Sequence, residues 1–476
     1  MEFASFPKNL AYNIKTLSGF SKTTVKLTPD RTSGVVGHGE TFKVRLPSNS
    51  IIDLRTFTMF AEGTCSVTGN EPVHFPRLTS SLIKTLAVYV NGTLIERIDN
   101  YNILYNKLYD LDGGGVDQTA KRFLEISDPS VLYTTGANST DFTAGTPKFL
   151  VDHNEPSDVN RKLMINNWLG FISTCNCPCP DTNDLNLIEV EITLADEKVL
   201  WCSRDTSGAS NAIVQPLGAA FSLKNIHFTI SKIVFNDPLY YNLKASKLLS
   251  SGLTIGYQTY ITSKTAAVTK QSSVNVLTTV NSTSLDQLIC CLQPADPQIY
   301  TLQLSGSNSA TTVTSFESKN ATHSVGQTNT LPYHNSAGDL YNQSYYFVSD
   351  ATGLVASSVE INNTPLMPQP FDDAEIYNET LISLGNLNQD MSSGIHPGCR
   401  SLSLFLKYYF THIVSLENIQ QGDFYKSGLD GKSSALNVAW KMTFNGASAS
   451  LVTPYIFAKT TRVMVVNEGH AISVVV

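Results

Sequence analysis

Charge is what this sequence has least of. Asp, Glu, Lys and Arg make up 15% of its 476 residues, against about 25% in ordinary soluble domains. Ser, Thr and Asn fill the polar quota instead. That suits strands and loops better than surface helices, and it suits a chain that hides much of its outside in contacts, because the centres of protein interfaces are depleted in charge. No run of eighteen apolar residues is present, so no membrane-spanning helix is expected. The opening MEFASFPKNLAYNIK lacks the apolar stretch of a secretory leader, and secretion is not expected. Eight cysteines are too few for a disulfide scaffold in a chain of this length, so reduced thiols in an intracellular product are expected. Seven Asn-x-Ser/Thr triplets, beginning at Asn91, Asn138, Asn281, Asn320, Asn342, Asn362 and Asn378, then follow from the abundance of those residues rather than from glycosylation.

A net charge of −7 argues against nucleic-acid binding by the chain as a whole. Residues 1–27 run the other way, with Lys8, Lys15, Lys22 and Lys26 against Glu2. The simplest reading is a solvated N-terminal arm.

Catalytic signatures are missing too. The nine histidines are scattered, with no H-E-x-x-H and no G-x-S-x-G. GVVGHGET (34–41) has the spacing of a phosphate loop, but Glu40 stands where the lysine belongs and a strand-like run follows. It reads as a glycine-rich turn. DLDGGGVDQTAK (110–121) starts like a calcium loop, yet its twelfth position is Lys121, so the bidentate carboxylate is absent. FDDAE (371–375) reads as an acidic first helical turn answering the helix dipole. CNCPCP (175–180) puts Cys175, Cys177 and Cys179 on one side of an extended segment, and Cys202 or His153 would be the fourth ligand of a zinc site. Structural zinc normally uses C-x₂₋₄-C pairs, and Pro178 and Pro180 suggest an edge or loop. These three cysteines are the weak metal candidates; otherwise no catalytic, metal or cofactor residues are expected.

What is present is a repeated pattern. In residues 87–111, Val88 and Val90 alternate with Ala87 and Tyr89 as in a strand, and Asn91-Gly92 suits a two-residue type I′ turn. That turn sets Val90 against Thr93 and Val88 against Ile95. Asp99 or Asn100 can cap a helix in which Tyr101, Leu104, Tyr105, Leu108 and Leu111 form one apolar face, ended by Gly113–Gly115. The unit recurs 271 positions on, where Val359, Ile361, Asn362, Asn363, Thr364 and Leu366 stand, followed by Asp372 or Asp373 as a cap and by Tyr377-Asn378 for Tyr105-Asn106. Three other stretches repeat in the same order: 42–54 as 274–286, 185–194 as 436–444, and 230–236 as 460–467. Four matches in one order indicate an internal duplication. The second half carries some forty extra polar residues, 305–344, read as a long exposed loop. Between the halves, Asp237 (N-cap), Pro238 (first turn) and Gly252 (end) mark a short linking helix. The expected fold is all-β with a few short helices: an arm 1–27, a first jelly-roll β-sandwich 28–236, a linking helix 237–252, and a second jelly roll 253–476.

Several stretches, spread in order over nearly the whole chain, resemble double jelly-roll major capsid proteins, the lineage of adenovirus, polinton-type elements, virophages and large DNA viruses. They are IIDLRTFTMFAEGT (51–64), the strand-NG-strand-helix element (82–111), LNLIEVEITLA (185–195) and the crossing segment 221–260. The resemblance implies a structural role without enzymatic activity or cofactor. Three chains would close into a pseudo-hexameric capsomer that tiles an icosahedral shell, made inside the host cell and located in the virion. Its partners would be itself, neighbouring capsomers and minor capsid or penton proteins. The basic arm would face membrane, scaffold or genome, without sequence-specific nucleic-acid binding. The alternatives are a viral spike or vertex protein that binds a receptor, and a β-barrel carbohydrate-active or cupin-type enzyme.

Overall fold

The computed structural model describes residues 20–31, 34–68, 73–76, 78–113, 157, 159–205, 218–235, 246, 252–270, 273–295, 297, 301–307, 310–314, 322–324, 344–384, 399, 402–417, 428–431, 435–446, 450–467 and 471–475. Among them the strands form five sheets. Two lie wholly before residue 236. One has the order β1 (Phe20–Leu27), β11 (Ala220–Phe235), β4 (Ile51–Ser66), β8 (Arg161–Ile165), with β2 (Val35–Gly37) also on β11. Its companion runs β3 (Thr41–Arg45), β9 (Ile188–Leu194), β6 (Ile83–Val90), β7 (Thr93–Asp99).

Two more sheets lie wholly after residue 252. The first runs β12 (Leu253–Lys264), β23 (Leu451–Val466), β15 (Leu285–Pro294), β21 (His412–Ser415), with β13 (Val268–Thr269) and β24 (Ile472–Val475) also on β23. Its companion runs β14 (Val274–Val280), β22 (Leu436–Phe444), β19 (Leu354–Ile361), β20 (Thr364–Pro365). A fifth sheet joins the halves: β5 (Val73–His74) and β10 (Trp201–Asp205) continue into β16 (Thr301–Ser307), β17 (Ala310–Thr314) and β18 (Thr322–Ser324).

Period-two patterning forms these strands. Along β9 every second residue, from Ile188 to Leu194, is buried, and the polar residues between them form the outer face. Inward-facing side chains fill the space between paired sheets, as where Phe57 stacks on Phe228 at 5.1 Å and lies tilted against Trp168 at 5.3 Å. Five helices are relevant below: α1 (Tyr101–Leu108), α2 (Phe171–Thr174), α3 (Thr182–Leu185), α4 (Asp373–Ser383) and α5 (Leu402–Tyr408).

Strand ladders test the duplication residue by residue. Val44 lies opposite Val190, which lies opposite Val88 on its other side. In the second half Val276 lies opposite Trp440, which lies opposite Val359. Those are the partners given by moving 42–54, 185–194 and 88–95 by the offsets found in the sequence. Both tight turns are built alike. Asn91 and Gly92 have φ of 47° and 77°, and Asn362 and Asn363 have 50° and 62°, the doubly positive geometry of a type I′ turn.

Some expectations need correction. Val90 does face Thr93, but a bulge at Val88/Tyr89 sets Val88 against Glu96 instead of Ile95. A β-bulge leaves one residue out of the ladder, and a tight turn alone does not forecast it. Helix α1 is buried on all sides, with only Leu108 half-buried, and Leu111 lies beyond it in a wider π-helical turn, Tyr109–Gly113. Residues 20–27, placed in the arm, pair with β11 along their whole length. The segment 305–344, read as one loop, contains the end of β16 and all of β17 and β18. The linking helix 237–252 lies outside the described residues except for Ser246 and Gly252.

Candidate functional site: the seam between the two sandwiches

The two sandwiches meet edge to edge, β7 of the first beside β12 of the second. The bulge in β7 takes Ile95 out of the ladder, and its carbonyl accepts a hydrogen bond from Tyr257 Oη at 2.7 Å. Four residues on, the Asp99 carbonyl accepts from Thr262 Oγ1 at 2.6 Å. Helix α2 closes the other side. Thr174 Oγ1 donates to the Gln258 carbonyl and accepts from the Gln258 amide, both at 2.9 Å. The Asn176 amide donates to the Gly256 carbonyl, and Phe171 meets Tyr257 edge-on at 5.3 Å.

Two ionisable side chains are sealed into this contact. Glu96 is fully buried. Its Oε2 accepts from the Phe171 amide at 2.8 Å. Burial pushes its carboxyl up to about 7, against the opposing pull of that amide, of Thr259 and of Arg462. Gly170 is what lets α2 come so close: it has a φ of 79°, and a Cβ there would lie 1.9 Å from Glu96 Oε1. Lys107 on α1 crosses the seam at the opposite end. Its Nζ donates to the carbonyls of Phe347 at 2.5 Å and Tyr408 at 3.4 Å, and the side chain is 1% exposed. A charged donor of the first barrel thus reaches two carbonyls of the second, of which that of Tyr408 also accepts from the Ser349 amide at 2.8 Å. Further along, Ser344 Oγ donates to the Leu200 carbonyl at 3.2 Å, beside the parallel pairing of β10 with β16.

A serine–histidine contact that no motif announced lies in the second sandwich. Ser357 Oγ is 3.2 Å from His412 Nδ1 and accepts from Trp440 Nε1 at 3.0 Å. Both residues are buried, and burial drives the imidazole down to about 3. A nucleophile and its base need an approach for substrate; this pair is enclosed in the packing of β19, β21 and β22.

The whole pattern then has a single description. The strand orders β1-β11-β4-β8 with β3-β9-β6-β7, and β12-β23-β15-β21 with β14-β22-β19-β20, are one arrangement made twice. The same arrangement is found in solved structures. VP54 of PBCV-1, fitted into a reconstruction of the virophage Sputnik, superposes with a TM-score of 0.56 at 12% identity, over 96% of this chain and 97% of that one. The Faustovirus major capsid protein gives 0.55 at 9% identity, over 94% and 90%. A chain of the Sputnik virophage structure gives 0.54 at 12% identity, over 96% and 88%. The chain is a double jelly roll. No family model matches it, and no curated protein matches its sequence, so at this identity the likeness is one of fold.

Within the double jelly roll, the cysteine segment has a structural place. The carbonyls of Pro178 and Pro180 accept from the amides of Leu54 and Ile52 at the start of β4. Proline has no amide to donate, and at these two positions β4 asks only for an acceptor. Cys175 Sγ donates to the Cys177 carbonyl at 3.1 Å. Burial raises all three thiols, Cys175 to about 12. Among the described residues no group of three His, Cys, Asp or Glu is arranged to hold a metal ion. Of the supposed fourth ligands, His153 lies outside the described residues, and of Cys202 only the backbone is described. The phosphate-loop spacing falls on β2, a turn and β3, with Glu40 accepting from the Gly37 amide at 2.6 Å and pairing with Arg31 at 2.9 Å. FDDAE opens α4 with a capping box between Asp372 and Glu375. Of the calcium-like stretch only 110–113 is described, in the turn after α1. Sequence reasoning missed Glu96, Lys107 and Gly170. For Glu96 the available signal was a charged residue inside an apolar strand pattern; Lys107 and Gly170 carried none.

Proposed function

We propose that this chain is a viral major capsid protein whose work is assembly and not catalysis. The observation that carries the reading is the repetition of one barrel, strand for strand, in a chain whose structural neighbours over 94–96% of its length include major capsid proteins. Three copies then present six similar barrels. A contact repeated by a threefold rotation closes on itself and leaves no open edge, and the near-hexagonal block that results tiles a shell. The chain divides at 236–252 into barrels 28–236 and 253–476, with β1 joined to the first. The basic arm, which before Phe20 lies outside the described residues, is assigned membrane, scaffold or genome as its partner. Neighbouring capsomers and minor or penton proteins are the other partners, in a virion assembled from protein made inside the host cell and not secreted. A receptor-binding spike would have no use for two repeated barrels.

The test is mass and outline. Three copies of the 52.0 kDa chain should scatter light as a particle of about 156 kDa and show a blunt hexagon in negative stain. A stable monomer, or an elongated fibre, would refute the capsomer.

A further inference from the structure

The two repeats of the hairpin diverge at one place. In the second barrel the ladder continues in register beyond the turn: Ile361 lies opposite Thr364, Glu360 opposite Pro365, and the Leu366 amide donates to the Val359 carbonyl at 2.9 Å. Met367 follows, buried and apolar. In the first barrel the corresponding residues, 271 positions earlier, are Ile95 and Glu96. There the register shifts at Val88/Tyr89, and Glu96 takes the place opposite Val88. The displaced Ile95 carbonyl is the one that Tyr257 reaches across the seam. The fold accepts an apolar side chain at this position, and the repeat that carries a carboxyl is the one whose hairpin meets the other barrel.

Both barrels enclose that carboxyl. From the second, β12 brings Tyr257, Thr259 and Tyr260, and β23 brings Arg462. From the first, α1 brings Tyr101, α2 brings the Phe171 amide, and Cys175 follows α2. Burial raises the three tyrosines and Cys175, so Arg462 is the charged group facing Glu96 at neutral pH. Neither its Nε, nor Thr259 Oγ1, nor Glu96 Oε1 makes a hydrogen bond of ordinary geometry. A neutral carboxyl is content with the single bond from Phe171. An ionised one would leave a charge largely uncompensated where water is excluded, which is costly until water enters. The thinnest wall is α2, a single turn that follows Gly170 at a φ of 79° and is tied to β12 through Thr174 and Asn176. We infer that Glu96 is a proton-operated latch between the barrels: with its proton in place it holds α2 down on β12, and on losing the proton it lets α2 lift. In the closed seam the carboxyl sits at about 7, against 4.5 when exposed, so ionisation favours opening over that range. The latch belongs to the single chain and stands whether or not three chains assemble.

Hydrogen exchange of the full chain, corrected for the pH dependence of exchange in unfolded peptides, reads such local opening. The amides of Phe171, Asn176 and Gln258, bonded to Glu96, Gly256 and Thr174 in the closed seam, should exchange faster by up to about tenfold per pH unit from 4.5 to 7 and level off above 7. The amides of β9 and β22 should stay as protected as at low pH. Glu96→Gln should abolish the rise, and so should Glu96→Met, which supplies the side chain of the second repeat. Arg462→Gln removes the opposing cation and should move the rise to higher pH. A parent chain without the rise, a rise that survives in either Glu96 variant, a rise shared by β9 and β22, or a displacement to lower pH in Arg462→Gln overturns the latch. None of these outcomes bears on the capsomer, which particle mass decides.

Discussion

At His412 the fold keeps an imidazole out of water. It packs edge-on against Trp440 at 5.0 Å and shares Ser357 with it. Its Nε2 has no protein partner among the described residues. Because burial holds the ring neutral down to about pH 3, the folded state takes up no proton there as pH falls through 6.5, while the unfolded chain does. Stability should therefore be full above about pH 6.5 and drain away toward pH 3, by roughly 1 kcal/mol per pH unit from this residue. His412→Gln should flatten that slope in denaturant titrations between pH 6.5 and 4; an unchanged slope would place the acid sensitivity elsewhere. Gly170 is the other residue whose identity is forced. Gly170→Ala meets both a positive φ and the Glu96 carboxylate, and should cost roughly 2–4 kcal/mol. Combining it with Glu96→Ala should recover the part due to the clash, a coupling that a double-mutant cycle reads directly.

Elements show what the sequence made legible. Strand, tight turn and strand could be read twice because that information is local: Asn91-Gly92 and Asn362-Asn363 are suited to positive φ, and the flanking valines and isoleucines alternate. Gly92→Val and Asn363→Val should each cost about 1–2 kcal/mol, since a β-branched residue is strained at positive φ, whereas Asn363→Gly should be tolerated; thermal melts distinguish the three. The bulge at Val88/Tyr89, the burial of α1 and the pairing of Phe20–Leu27 could not be read. Each depends on a partner between about 160 and 300 residues away along the chain. Lys107 shows the limit well. Next to Asn106 in a helix it looks like an ordinary exposed lysine, yet its ammonium reaches the Phe347 and Tyr408 carbonyls across the seam. Lys107→Met keeps the aliphatic stem and removes the donor, and should destabilise the chain by roughly 1.5–3 kcal/mol, the scale of a lost hydrogen bond from a charged group. The same change at the exposed Lys84 should be close to neutral.

For the molecule as a whole, the seam decides whether two barrels behave as one body. Each barrel carries its own buried indole: Trp168 donates to the Phe57 carbonyl at 2.8 Å in the first, and Trp440 lies on β22 in the second. Chains keeping one or the other as the sole tryptophan should unfold at the same denaturant concentration if the seam couples the barrels. Glu96 gives that coupling a pH dependence opposite to His412. Its folded carboxyl is raised to about 7, mainly by burial, with Arg462 of β23, Tyr257 and Tyr260 of β12 and Tyr101 of α1 around it. The unfolded carboxyl titrates near 4.5, so as pH rises from 4.5 to 7 the unfolded chain gives up its proton first and stability falls. Between about 4.5 and 6.5 the two residues oppose each other; above 6.5 the glutamate alone remains. The difference in unfolding free energy between the parent chain and Glu96→Gln should therefore fall by roughly 1 kcal/mol per pH unit from 4.5 to 7, and both tryptophans should report it, because the carboxyl belongs to the contact and to neither core. A shift seen only by Trp168 would mean that the glutamate stabilises its own barrel and the seam transmits nothing.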